Sequence, residues 1–480
     1  MTEDRGAAIF KALAGGLCAA LFWLPLAGTP LFQDDLGFLY IARLQMDSGY
    51  WWAWLMQTSG QSTFWRPLSV GLHWLFAAKA LGGSPLLLHL WNLLALGLTS
   101  AIAGLVAVRV VVASSDVRPT SSSAFWSAFL FGIHGCWLLP AIWACAIQET
   151  YAILFAALAL LSWIAVLSAT STTGFRSWVY VMLCVMFYAA ALLSKEGSIV
   201  VPLLAGAAIR PKTKTLTAIN RISVTVACVV VVTGAWVGFR THLTHVQADS
   251  PYAPAIGLNA VRNAALLVLF LCNVPREAIT VWLASRSGWV LAWGIGCGAL
   301  QVFAIIGMIW SAVPWRRLKA KVVLWIPIAL LPYFFLKSQC YPYYACMALL
   351  AYPWLVAKAS AQARRRFYVF AGAAIVSSVA LTIGEGLLPR PAPLARAKWS
   401  KHALEDLALQ RFRLPDNLDL LPVVNKSDSD FAAGGYFAGP AVALHLDIGV
   451  FREVDDVTTR AIPRLEVDQA GYRLITKSSP

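Results

Sequence analysis

The segment LFQDDLGFLY, residues 31–40, places two adjacent carboxylates, Asp34 and Asp35, between apolar residues directly after a long apolar run. Like charges at a low-dielectric boundary repel, so one of the pair keeps its proton unless a cation, a metal or hydrogen-bond donors compensate. Such a carboxylate is suited to general-base work, although Asp also ends helices and turns chains. Further along, FWRPL supplies Arg66, whose guanidinium either forks onto a carboxylate or phosphate or snorkels beside Trp65. His89 and Asn92 in LHLWN are three apart and share one helix face, where they either order the two Asp or make a packing hydrogen bond. AIQET contributes Glu149, and LLSKEGS contributes Lys195 and Glu196. Ionisable groups near a membrane turn to a cavity or a partner, so Lys195 is expected either to pair with one of these acids or to hold an anion.

Other polar residues carry weaker signals. SQCYPYYAC supplies Tyr341, Tyr343 and Tyr344, which suit either interfacial anchoring or a sugar or lipid headgroup. His242 and His245 in RTHLTH have a metal-like spacing without a third ligand. Glu385, inside the last apolar run, reads as a packing residue. A Gly-rich phosphate loop, a nucleophile elbow and a Cys/His ligand set are all missing from the sequence, which disfavours soluble nucleotide-driven chemistry.

The elements that must position these residues are membrane helices. Of the 480 residues, 59% are hydrophobic and 13% charged, about half the charged share of a soluble domain (~25%). The formal charge of +15 lies mostly in short stretches between apolar runs, which fits the positive-inside rule and argues against nucleic acid as a partner. All nine Cys fall in or beside apolar runs, so a disulfide framework is not expected, with Cys136 and Cys145 the one pair considered. The run from Ala7 to Pro30 lacks a small-x-small cleavage site and reads as an uncleaved first span.

Span length predicts an all-α polytopic membrane protein of about eleven transmembrane helices. They are expected near 8–30, 85–108, 124–140, 146–167, 178–193, 197–209, 222–240, 288–313, 322–337, 341–357 and 367–388. The larger share of Lys and Arg then falls on the side of the N-terminus, which makes that side cytoplasmic. External loops are expected at 31–84 and 241–287, and the apolar piece within 256–287 as an interfacial or re-entrant helix. Residues 1–388 form the transmembrane domain in this reading. Residues 389–480 hold twelve of the 23 acidic residues and form a small extracytoplasmic α/β domain, with a helix near 397–410 and strands near 442–451 and 473–476.

The order of these features resembles the GT-C superfamily of multi-spanning glycosyltransferases, which includes protein O-mannosyltransferases and bacterial aminoarabinose transferases. The pieces that carry the resemblance are FQDDLGF, WRPLSVGLHWLF, SPLLLHLWNLLAL, HGCWLLPAIWACAIQETYAILFAAL at 134–158 and ALLSKEGSIVVPLLA at 191–205, within about the first 210 residues. The second half matches in hydropathy alone, and the tail lacks tetratricopeptide periodicity. The resemblance implies transfer of a sugar from a polyprenyl-phosphate carrier to a glycan, lipid or protein acceptor on the outer face, with an acidic residue of the first external loop at the active site. It places Asp34 or Asp35 as base, Glu149 as a second acid, and Arg66 and Lys195 as phosphate binders. His89, Asn92, Glu196, Tyr341 and Tyr343 complete the expected substrate-binding set. Inversion would follow from one direct displacement. No cofactor is assigned, and a divalent cation, used by some members of the superfamily and not by others, stays open. The expected location is a bacterial inner membrane.

Two other classes compete. A transporter or flippase for lipid-linked saccharides would favour charges at the bilayer midplane and paired broken helices, whereas here the acids sit at span ends and no internal repeat is found. An assembly protein would act through its tail and tolerate loss of Asp34 and Asp35.

Overall fold

Lipid offers no partner for an open backbone N–H or C=O, so apolar runs of sufficient length must close their hydrogen bonds internally as helices. The computed structural model describes residues 3–32, 34–49, 52, 64–114, 119–168, 175–208, 216–244, 250, 252–312, 316–362, 364–388, 392–395, 397–398, 419–420, 452–453, 464–468 and 471–475. Among the described residues, seven helices are long and apolar enough to cross a membrane: Gly6–Leu26, Pro85–Ala113, Ala144–Ser168, Phe175–Ser194, Ile219–Leu243, Gly288–Ser311 and Arg365–Leu387. The pair Ser121–Gly132 and Gly135–Ile142, bent by 54°, makes an eighth if it counts as one span. The chain is an integral, multi-pass membrane protein, and Val230, Val231, Phe239 and Trp310 point outward as lipid-facing residues do.

Several of the eleven expected spans fall on shorter pieces among the described residues. The expected span 197–209 is a 3-10 turn, Glu196–Val200, followed by the short helix Val201–Ala208. The expected span 322–337 falls on the helix Arg316–Phe334, which carries Pro327 and Pro332 inside it. The expected span 341–357 divides into Pro342–Ala345, Cys346–Leu349 and Tyr352–Gln362. Pro342 and Pro353 stand at the starts of the first and last of these pieces, where their missing N–H costs least. The 256–287 segment forms two helices, Leu258–Leu271 and Arg276–Ser285, separated at Asn273, whose φ is 63°. At about 1.5 Å per residue neither reaches across a hydrocarbon core of about 30 Å.

The N-terminal helix Glu3–Trp23 packs on Pro85–Ser114 and Ser121–Gly132 through small residues. A Cβ on Gly16 would lie 2.1 Å from the Gly97 carbonyl oxygen, and one on Gly15 would lie 2.4 Å from that of Phe125. The Trp23 indole donates to the Gly132 carbonyl at 2.8 Å and closes the same interface. Gly16→Leu is therefore expected to destabilise the protein by about 1–3 kcal/mol, read as a fall in the unfolding midpoint in detergent.

In the tail, Arg464–Asp468 pairs antiparallel with Gly471–Ile475 in a sheet ordered Arg452–Glu453, Asp419–Leu420, Arg464–Asp468, Gly471–Ile475. The last strand overlaps the one expected at 473–476. The strand expected at 442–451 lies outside the described residues, as does the helix expected at 397–410 beyond its first two positions.

Candidate active site

The functional side chains converge because helix ends and breaks meet on one side of the bundle. Asp34 and Asp35 open the helix Asp34–Asp47, a favourable place for carboxylates beside the positive end of the helix dipole. The two acids face different partners. Asp35 is wholly buried; its Oδ1 accepts the Cys145 N–H at 2.6 Å and its Oδ2 the Phe32 N–H at 3.2 Å. Burial pushes its carboxyl well above the usual range, against the pull of those donors. Asp34 is partly exposed and lines a cavity, and burial raises its pKa to about 6 while the Arg66 charge opposes the rise.

Asp35 ties the start of its helix to the 143–146 turn. Asn92 holds that turn from the opposite side, its side-chain amide donating to the Ala144 carbonyl at 3.1 Å. Asp35→Ala would leave two buried N–H groups without an acceptor, so it is expected to cost about 1–3 kcal/mol of stability. Unfolding of the purified variant in detergent measures that loss.

Arg66 precedes the π-helical segment Pro67–Leu72, and its carbonyl accepts from the N–H groups of Val70 and Gly71. Ser69 Oγ donates to the Ser194 carbonyl at 2.6 Å, which pins this segment beside Lys195. Lys195 is an extended residue between the helix Phe175–Ser194 and the turn Glu196–Val200. Arg66 grips Glu196 with a fork, its Nε at 2.8 Å from Oε2 and its Nη2 on Oε1, and its Nη1 donates to Gln148 Oε1. Lys195 pairs with Glu149, and its Nζ lies 4.9 Å and 4.6 Å from the ring centres of Tyr343 and Tyr344. Burial depresses the Lys195 pKa, and Glu149 opposes that effect. Burial alone would raise Glu196, but the Arg66 charge and hydrogen bonds override it and hold the carboxyl at about 2.

The cavity encloses about 440 Å³ between atoms, part of it open to solvent, within the roughly 300–1,000 Å³ range of small-molecule sites. Asp34, Arg66, Gln148, Glu149 and Lys195 form its polar side, and Phe64, Trp143, Tyr252, Tyr343 and Tyr344 supply the rings. Gly197 allows Tyr333 to approach, since a Cβ there would meet the phenol oxygen at 2.2 Å. Tyr333 in turn stacks on Tyr344, with ring centres 4.5 Å apart.

Of the residues expected from sequence, Asp34, Arg66, Glu149, Lys195 and Tyr343 line the cavity. Glu196 stands behind Arg66 as its ion-pair partner. The other expected residues lie outside that lining. His89 and Asn92 do not line the cavity; both are buried, with Asn92 on the 143–146 turn and His89 facing the backbone of Thr29 and Ala141. Tyr341 stacks on Tyr343 at 5.2 Å under the Arg276 guanidinium, outside the lining. Cys136 and Cys145 are free thiols, Cys136 donating to the Phe270 carbonyl at 3.5 Å. His245 lies outside the described residues, and His242 is exposed. Sequence reading missed Gln148, whose signal was an amide beside Glu149 in an apolar run, and Tyr252, which carried none.

No family profile matches the sequence, and no curated protein sequence matches it. Among solved structures the chain is similar to the oligosaccharyltransferase of Archaeoglobus fulgidus in its apo form, with a TM-score of 0.48, 12% identity, and 90% of this chain and 64% of that one covered. It is similar to AglB of the same organism in complex with an inhibitory peptide and a dolichol-phosphate, with a TM-score of 0.37, 13% identity, and coverage of 93% and 56%. A third is the oligosaccharyltransferase tethered to an acceptor peptide containing the NVT sequon, with a TM-score of 0.43, 13% identity, and coverage of 90% and 63%. The chain thus spans between 56% and 64% of the length of these structures.

Proposed function

We propose that this protein is a membrane glycosyltransferase that moves a sugar from a polyprenyl-phosphate carrier to an acceptor hydroxyl at the extracytoplasmic face, with inversion at the anomeric carbon. The observation that carries this reading is the convergence of Asp34, Arg66 and Lys195 on one ring-lined cavity. Asp34 takes the proton of the acceptor hydroxyl as its oxygen bonds to the anomeric carbon, and the bond from that carbon to the carrier phosphate breaks. The electron pair leaves with the phosphate, whose growing charge meets Arg66 and Lys195. A guanidinium has five N–H donors and an ammonium three. Among the described residues three of the former and one of the latter are used within the protein, which leaves donors on both for phosphate oxygens.

Glu149 and Glu196 serve as counter-ions that fix the two cations, and the aromatic rings set the orientation of the sugar. No group of three His, Cys, Asp or Glu gathers among the described residues. In this reading the α/β tail is extracytoplasmic and the membrane is a bacterial inner membrane, with a glycan, lipid or protein as acceptor.

The transfer rate is expected to rise with pH through about 6, as Asp34 loses its proton and becomes able to accept one. A rate that stays flat between about pH 5 and about pH 7 would take the base role from Asp34. The reading itself is tested by mass spectrometry of envelope glycans, glycolipids and glycoproteins in cells lacking the protein and in complemented cells. A missing sugar restored by the wild-type chain is the expected result, and an unchanged inventory would count heavily against transfer.

A further inference from the structure

A second cavity, enclosing about 390 Å³, lies between the bent segment 135–142, the break that follows Leu271 and the end of the last long helix. Leu138, Leu139, Ile142, Phe270, Val274 and Leu381 make its wall apolar, yet it holds two carboxylates, Glu277 and Glu385, and no Lys, Arg or His lines it among the described residues. Glu385 is 1% exposed, and among the described residues no hydrogen bond of ordinary geometry reaches either of its oxygens, although the Leu394 amide lies near. Asn273, the amide in the wall, is already occupied: its Oδ1 accepts from Gly135 N–H at 2.7 Å and its Nδ2 donates to Ser377 Oγ at 2.8 Å.

A buried carboxylate without donors is expensive and calls for an explanation in a missing partner. A hard divalent ion wants about six or more oxygen ligands, whereas this cavity offers two carboxylates in an apolar shell. A primary ammonium asks for less. It brings three N–H donors and a positive charge for the carboxylates, and a hydrocarbon attached to it would cover the apolar wall.

We propose that this cavity binds a primary ammonium group borne on an apolar body, with Glu385 as the first carboxylate and Glu277 as the second. The site is separate from the Asp34 cavity and does not depend on the glycosyltransferase reading. A free alkylamine and an aminophospholipid headgroup share this chemistry.

The test uses the full-length protein in detergent with n-hexylammonium chloride as probe and n-hexanol as its uncharged match, followed by calorimetry and by thermal unfolding. Saturable hexylammonium binding is expected, with hexanol and the Glu385→Gln variant each weaker by about tenfold or more. Leu139→Trp, which fills the cavity and leaves both acids in place, is expected to abolish binding and covers the case in which Glu385→Gln does not fold. Nanodiscs separate the sources: added phosphatidylethanolamine in a phosphatidylcholine bilayer lowers hexylammonium affinity if the headgroup is the occupant, and leaves it unchanged if a soluble amine is. Absence of saturable binding, equal binding of hexanol, or wild-type binding by both variants would overturn the proposal.

Discussion

Replacing Asp34 with Asn is expected to lower the transfer rate by about 10²- to 10⁴-fold while leaving the unfolding temperature near that of the wild type. Asn keeps the shape of Asp and cannot take a proton. Asp34 lines the cavity and makes no ion pair among the described residues, so little structure rests on its charge. Its neighbour behaves in the opposite way, since Asp35 holds two backbone donors and is sealed from the cavity. Single-turnover transfer in proteoliposomes, beside unfolding of the same preparations, separates the two roles. A loss smaller than about tenfold for Asp34→Asn would place the base on another residue.

Lys195→Ala carries the largest expected structural effect, about 3–5 kcal/mol of lost stability together with lost transfer. The side chains of Lys195 and Glu149 are 6% and 4% exposed, so removing the ammonium strands a buried carboxylate. The cost is expected to come from that stranded charge more than from the lost attraction. Lys195→Met combined with Glu149→Gln should therefore recover most of the stability and none of the activity, because the phosphate would still lack its cation. Equilibrium unfolding in detergent reads the first effect. If Lys195→Ala costs less than about 1 kcal/mol, water reaches Glu149 and the pair is better treated as a surface one.

The long spans were legible because lipid demands uninterrupted apolar length, and Pro85–Ser114, Ile147–Ser168 and Phe175–Ser194 fall close to their expected limits. The gathering of Asp34, Arg66, Glu149, Lys195 and Glu196 was legible for a related reason: each is a charged residue stranded at the end of an apolar run. Hydropathy hides breaks, because a run stays apolar across a 3-10 turn. The segments 133–140 and 341–352 accordingly looked like parts of spans, although Pro140 and Pro342 were signals that could have divided them. The division of labour between Asp34 and Asp35 was not legible at all. It depends on where Cys145 presents its N–H, which is a property of a turn 110 residues away in the chain. Tyr252 and the buried Glu385 are cases of the same kind, where the surroundings are set by tertiary placement.

The clasp at Asn273 bears on the order of synthesis. It joins the bent segment at Gly135 to Ser377 in the last long helix, and Ser377 Oγ donates onward to the Cys297 carbonyl at 2.8 Å. Proteins are made and inserted from the N-terminus, so Asp34, Arg66, Glu149 and Lys195 reach the membrane long before Ser377 does. During that interval the nascent chain holds the acid and both cations but lacks Tyr252, Tyr343, Tyr344 and the clasp behind the bent segment. The ring-lined wall is therefore completed late in synthesis, and the clasp closes only once the last long helix has been made.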